Sequence, residues 1–152
     1  MSISDAQNTK KVLLLPPQLK DDGDFAGNTY ADTKGWGYAE FLIATGTIDA
    51  AMGSTAEGTA PIIEECDTSG GSYTELTGAA LADAIAATDD DSLFQIDVDL
   101  INVAHKRFMR IKAPHAGNGA VGVTACGIAI LSKPELGPQN AAARGLAEHV
   151  IV

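Results

Sequence analysis

The chain has 152 residues, with 10 lysines and arginines against 20 aspartates and glutamates, a formal net charge of -10. That length fits one domain able to bury a core without disulfides or metal. A composition 45% hydrophobic but only 5% aromatic, with 16 glycines, builds that core from small and aliphatic side chains and excludes disorder over most of the length.

Residues 1–9, MSISDAQNT, are polar and aperiodic and read as an N-terminal arm. Lys10 to Leu15 (KKVLLL) reads as a short strand closed by Pro16-Pro17, which cannot donate ladder hydrogen bonds. Gln18 to Lys34 is rich in Asp, Gly, Asn and Thr and reads as a long loop. Gly35 to Thr45 (GWGYAEFLIAT) is the densest aromatic and branched stretch, a strand ending at Gly46. After the small-residue loop TIDAAMGSTAEGTA, Pro61 to Asp67 reads as a strand, and Gly70-Gly71 allows Tyr73 to Leu76 to return antiparallel. Gly78 to Ala87 (GAALADAIAA) has helical spacing through Leu81 and Ile85, enough for a turn or two of helix.

Leu93 to Ile101 alternates cleanly, with Phe94, Ile96, Val98 and Leu100 on one side and Gln95, Asp97 and Asp99 on the other. Arg107 to Ala113 (RFMRIKA) repeats the pattern less sharply, and Gly117-Asn118-Gly119 reads as a hairpin turn into the next strand. That strand, Ala120 to Ser132 (AVGVTACGIAILS), is apolar on both faces, as for a strand covered twice or one lending a face to an assembly contact. Pro134, Gly137 and Pro138 end it, and the remaining tail closes on an apolar HVIV. About seven short strands with glycine-rich turns and at most one short helix predict an all-β antiparallel sandwich over residues 10–134, jelly-roll-like, with a C-terminal arm over 135–152.

The net negative charge and the absence of an aligned basic stripe predict no direct contact with nucleic acid. Apolar runs fall short of the roughly 18–20 residues that span a bilayer, and the first residues lack the order of a secretory signal, so no membrane partner is expected and synthesis in the cytoplasm is. Cys66 and Cys126 lie in apolar runs without C-x-x-C spacing and read as buried free thiols. The acidic runs Asp21-Asp22-Gly23-Asp24 and Asp89-Asp90-Asp91 could attract a hard cation, but neither fits the twelve-residue calcium loop, so solvated loops are the plainer reading. Asp97 and Asp99 share a strand face and are conceivable as an acid/base pair, yet alternation puts paired charges on any wet face. His105, His115 and His149 form no ligand or triad spacing, and no nucleophile motif is present. No enzyme activity, metal or cofactor is expected.

The stretch from Asp32 to Pro134 resembles the small decoration, or cement, proteins of tailed-phage heads. The resemblance rests on the successive segments DTKGWGYAEFLIATGTI, PIIEECDTSGGSYTEL, LFQIDVDL, KRFMRIKA and AVGVTACGIAILSKP. The acidic loop Gln18 to Lys34 and the tail after Pro134 are longer than in that pattern. The resemblance implies a jelly-roll-like sandwich on the outside of an icosahedral virion, bridging major capsid proteins against internal pressure. It implies self-association as a dimer or trimer, with Val12, Leu14, Ile128, Ile130, Leu146, Val150 and Ile151 as contact candidates. Repetition on a lattice turns weak contacts into avidity, so such a domain needs no deep pocket. The competing expectation is a carbohydrate-binding or adhesion module using Tyr30, Trp36 or Tyr38, whose ring faces could stack on sugars.

Overall fold

A computed structural model describes residues 8–53, 59–112, 114–135 and 145. Its strands, in chain order, are β1 (Lys10–Lys20), β2 (Gly23–Asp24), β3 (Ala31–Asp32), β4 (Trp36–Ile48), β5 (Met52–Gly53), β6 (Ile62–Cys66), β7 (Thr74–Ala80), β8 (Leu93–Asp99), β9 (Phe108–Ile111), β10 (His115–Ala116) and β11 (Val123–Pro134). Two four-stranded sheets, ordered β1-β11-β4-β8 and β3-β9-β6-β7, and a three-stranded one, β2-β10-β5, make an all-β, sandwich-like fold in which every pairing is antiparallel. We call the sheet containing β11 and β4 the long-strand sheet.

The frame is the β11–β4 pair, in register from Ala125 opposite Thr45 to Pro134 opposite Trp36. On β4, Ala39, Phe41 and Ile43 are buried while their neighbours are half-exposed; β11 likewise buries Val123, Ala125, Ala129 and Leu131. Gly127 lies on the same inward row. A Cβ there would come within 2.8 Å of Ile111 Cδ1, a residue of the opposite sheet, and 3.3 Å of Leu15 Cβ. The small residues of β11 therefore make the room into which Ile111, fully buried, inserts. Leu14, Leu15, Phe41, Met52, Ile63, Met109, Ile111 and Leu131 complete one core cluster. Each such side chain contributes about 1.5–3 kcal/mol through burial.

The hairpin expected around Gly70-Gly71 is present, with β6 and β7 antiparallel and Glu65 opposite Thr74. Four local expectations are corrected. The first strand does not stop at Pro16-Pro17: it continues to Lys20, and its register against β11 shifts between Leu15 and Gln18. β1 is an edge strand, where a missing donor costs no ladder bond. Its free edge is covered by residues 26–29, which bond to it through Thr29 N to Leu14 O (2.8 Å), Thr29 Oγ1 to Leu13 O (2.9 Å) and Ala26 N to Gln18 Oε1 (2.9 Å).

β4 runs past Gly46 to Ile48, because Val123 pairs with Ile48 across a bulge. Gly78 to Ala87 forms no helix: it stays extended through Ala80, Leu81 N donates to Pro61 O (3.0 Å), and Ile85 exchanges two hydrogen bonds with Met52. Gly78 is left-handed (φ 83°), and two apolar anchors do not offset the cost of nucleating so short a helix when sheet partners are at hand. Lastly, Gly117-Asn118-Gly119 is not a hairpin turn. It leads from β10 of the small sheet into β11, and Asp49 ties the end of that loop by accepting from Val121 N (2.6 Å) and Gly122 N (2.7 Å).

Candidate interaction surface

The long-strand sheet has a second face, pointing away from the core. Strand pairing sets its side chains in rows across β1, β11, β4 and β8. One row is Lys11, Ile130, Glu40 and Asp97, and the next is Leu13, Ile128, Leu42 and Gln95. Beyond them lie Cys126, Ala44 and Leu93, and then Leu19 beside Thr124. The middle of this face is aliphatic. Leu13, Leu19 and Leu93 are 52%, 59% and 65% exposed, while Leu42, Ala44, Cys126, Ile128 and Ile130 are half-buried. An antiparallel sheet with one wet face ordinarily alternates apolar-in and polar-out. Here the outward positions of the two central strands break that rule, and contiguous exposed apolar surface marks a place where something binds.

The face is charged along one end. Lys11 stands on β1, where its ammonium donates to Thr9 Oγ1, while Glu40 and Asp97 stand across the sheet on β4 and β8. Gln95 Nε2 donates to Asp97 (2.8 Å). In the following row Asp99 accepts from Asn102 Nδ2 (2.7 Å) and Ile101 N (3.0 Å), and these bonds, the Asn102 side chain first, hold its carboxyl below the usual carboxylate range. Partial burial, and then the charges of Asp97 and Glu40, push the neighbouring Tyr38 phenol up.

Ile128 and Ile130 thus lie on this outward face. Val12 and Leu14 do not, because they occupy the inward rows of β1: Leu14 is fully buried and has no surface to offer a partner, and Val12 is partly buried against the core. Leu146, Val150 and Ile151 fall outside the described residues, as does His149. Leu13, Leu42 and Leu93 belong to the patch and were not singled out from sequence. A signal existed for Leu93, since the alternation that turns Phe94 inward turns Leu93 outward; for Leu13 and Leu42, set in the runs LLL and FLI, no alternation was available.

The remaining candidates are dispersed. Asp97 and Asp99 sit two residues apart at the edge of the patch, engaged as above. Asp22 and Asp24 flank His115, at 3.7 Å from its Nε2 and 3.0 Å from its Nδ1, and Asp21 accepts from Gly119 N (3.3 Å). Asp89 accepts from Ala86 N and Asp90 from Ile48 N, so both acidic runs fasten loop backbone. His105 bonds to Val103 O through Nδ1 (2.9 Å). Among the described residues no group of three or more His, Cys, Asp or Glu is placed to hold a metal ion, and no helix is long and apolar enough to cross a membrane. Cys66 is buried, and Cys126, rather than buried, stands half-exposed in the patch; both are free thiols.

The aromatic residues do not form one platform. Tyr30, preceding β3, meets Phe108 edge-on (centroids 5.2 Å apart), Trp36 packs against the core, and Tyr38 carries the Lys133 ammonium 4.9 Å from its ring centre. A shallow hollow of about 400 Å³ lies between Thr9, Glu40 and Lys133, and one of about 110 Å³ between Leu76, Ala79 and Val98. No family model matches the chain, and no curated protein matches it at a significant level.

Proposed function

We propose that this chain is a structural protein of the virion exterior, lying on the outside of a tailed-phage head and stabilising the shell by bridging neighbouring major capsid proteins. The observation that carries the adhesive part of this reading is the aliphatic outward face of the long-strand sheet, an open surface suited to covering. The resemblance of residues 32–134 to decoration proteins names the surface to which it adheres, and the sandwich fold is in keeping with it. A net charge of -10 keeps a densely coated particle soluble.

The experiment is co-sedimentation of the purified protein with mature heads stripped of their decoration, read with the heads' resistance to heat-induced DNA release. The reading expects saturable binding at a fixed number of copies per head and release at a higher temperature. Heads that bind none of it at concentrations far above the micromolar range overturn it.

A further inference from the structure

We propose that the aliphatic outward face is a homodimer interface, closed by a second copy of this chain turned about a two-fold axis that runs parallel to the strands between β11 and β4. The choice of face rests on the adhesive reading above; the identity of the occupant comes from the arrangement of the side chains.

A face-to-face dimer with two-fold symmetry must be self-complementary. Rotation about the strand direction leaves each row at its own level and exchanges its ends, so β1 comes to lie over β8 and β11 over β4. Ile128 is then placed over Leu42 of the second copy and Cys126 over Ala44. The row that carries charge is asymmetric in the way this rotation needs, with Lys11 at one end and Glu40 and Asp97 at the other. Each Lys11 meets the acidic pair of the other copy, and the contact is made twice. Rotation about the perpendicular in-plane axis would instead set the charged row over Leu19 and Thr124, away from the opposite charges of the second copy. The sheets need cross only at the roughly 30° that aligned sheets adopt.

The footprint sets the strength. Four strands about 4.8 Å apart and four rows about 6.8 Å apart cover about 500 Å² in projection, below the roughly 800 Å² per partner of a standard stable interface. The dimer is therefore weak in solution, in the micromolar range, and gains from repetition when many copies are held side by side.

The test is sedimentation velocity of the full chain over a concentration series, with no capsid present, so that its failure and that of the capsid reading are separate events. The inference expects a concentration-dependent monomer–dimer equilibrium. Ile128→Lys should raise the dissociation constant about 30-fold or more, the effect of losing a central contact, and Leu13→Glu, at the margin over Gln95 of the second copy, about fivefold, each leaving the circular dichroism spectrum and melting transition in place. Asp97→Lys should weaken the dimer about tenfold, and Lys11→Glu combined with Asp97→Lys should restore it. A wild-type chain that stays monomeric to millimolar concentration overturns the inference, as does a dimer indifferent to both aliphatic variants. Failure of the charge swap to restore association overturns the two-fold arrangement. Removal of residues 146–152 is the control for the chain's own tail as occupant: a monomer that dimerises only after that truncation also overturns it.

Discussion

The outward sides of the two four-stranded sheets are furnished in opposite ways. On and beside β9 stand Lys106, Arg107, Arg110 and Lys112, and each meets a specific partner: Arg107 pairs with Asp32 (2.6 Å), Arg110 with Glu64 (3.0 Å) while lying 4.0 Å over the Tyr73 ring, Lys112 with Glu75 (2.5 Å), and Lys106 donates to Thr74 Oγ1 (2.8 Å). The long-strand sheet offers instead Leu13, Leu42, Cys126, Ile128 and Leu93, with charge only toward one end. Both sheets contribute to one core, so the difference is not demanded by folding. A surface made for water carries charge at its outward positions; one left aliphatic is made to be covered. The contrast sets the outward face of the long-strand sheet apart, and it is the face on which the proposed contacts are placed.

The comparison is broken most severely between adjacent residues of β11 that point opposite ways. Gly127→Val puts its first carbon 2.8 Å from Ile111 Cδ1 and should cost about 3 kcal/mol in urea-induced unfolding. Ile128→Lys, one residue on, should change the monomer's stability by no more than about 1 kcal/mol, because its loss is felt in association. Equal losses at the two positions would mean that both faces of β11 are core.

Next in size is Glu64→Ala on the other sheet. Glu64 is nearly buried and receives Arg110 Nε, so the variant strands a cation and should lose about 1–2 kcal/mol by the same measurement. Acid should erode the fold through three carboxylates. The Arg107 side chain holds Asp32, the Val121 amide Asp49, and the Asn102 side chain Asp99 below the ordinary carboxyl value of 3.8. Groups depressed in the folded state stabilise it fully above their unfolded value and lose that contribution as pH falls through the folded one. The melting temperature should therefore be insensitive to these groups between pH 5 and pH 7, taken as about a unit or more above 3.8, and drop below about pH 4. A fall already complete at pH 5 would implicate other groups. The smallest effect belongs to Lys112→Ala, which removes an exposed ion pair worth less than about 1 kcal/mol and should become undetectable at high salt.

Much of the frame was legible because periodicity reports burial. Phe94 to Leu100 alternates in the sequence and in the fold, and the Gly70-Gly71 hairpin follows from turn chemistry. The errors arose where a tertiary partner outbid a local rule. Pro16-Pro17 breaks a central strand but not an edge, and edge position is a property of the whole sheet. Leu81 and Ile85 are spaced for a helix, yet Pro61, beside β6, and Met52 of β5 offer them backbone hydrogen bonds. The same limit applies to the candidate surface. That β11 is apolar on both sides was readable, and with it Ile128 and Ile130, but which of Val12, Leu13 and Leu14 faces outward depends on the register of β1 against β11 and on the shift after Leu13. Local sequence does not encode that register.

The most direct test of the central claim uses the thiol that lies in the middle of the patch. Cys126 is half-exposed in the single copy and should be shielded when the face is covered, whereas Cys66 is buried in either state. Alkylation of Cys126, followed by mass spectrometry of the intact chain and its peptides, should slow several-fold as the wild-type concentration rises through the micromolar range, and should stay fast at every concentration in Ile128→Lys. A rate that is the same at all concentrations in both proteins would contradict the account, because it would leave the aliphatic face of the long-strand sheet open to solvent.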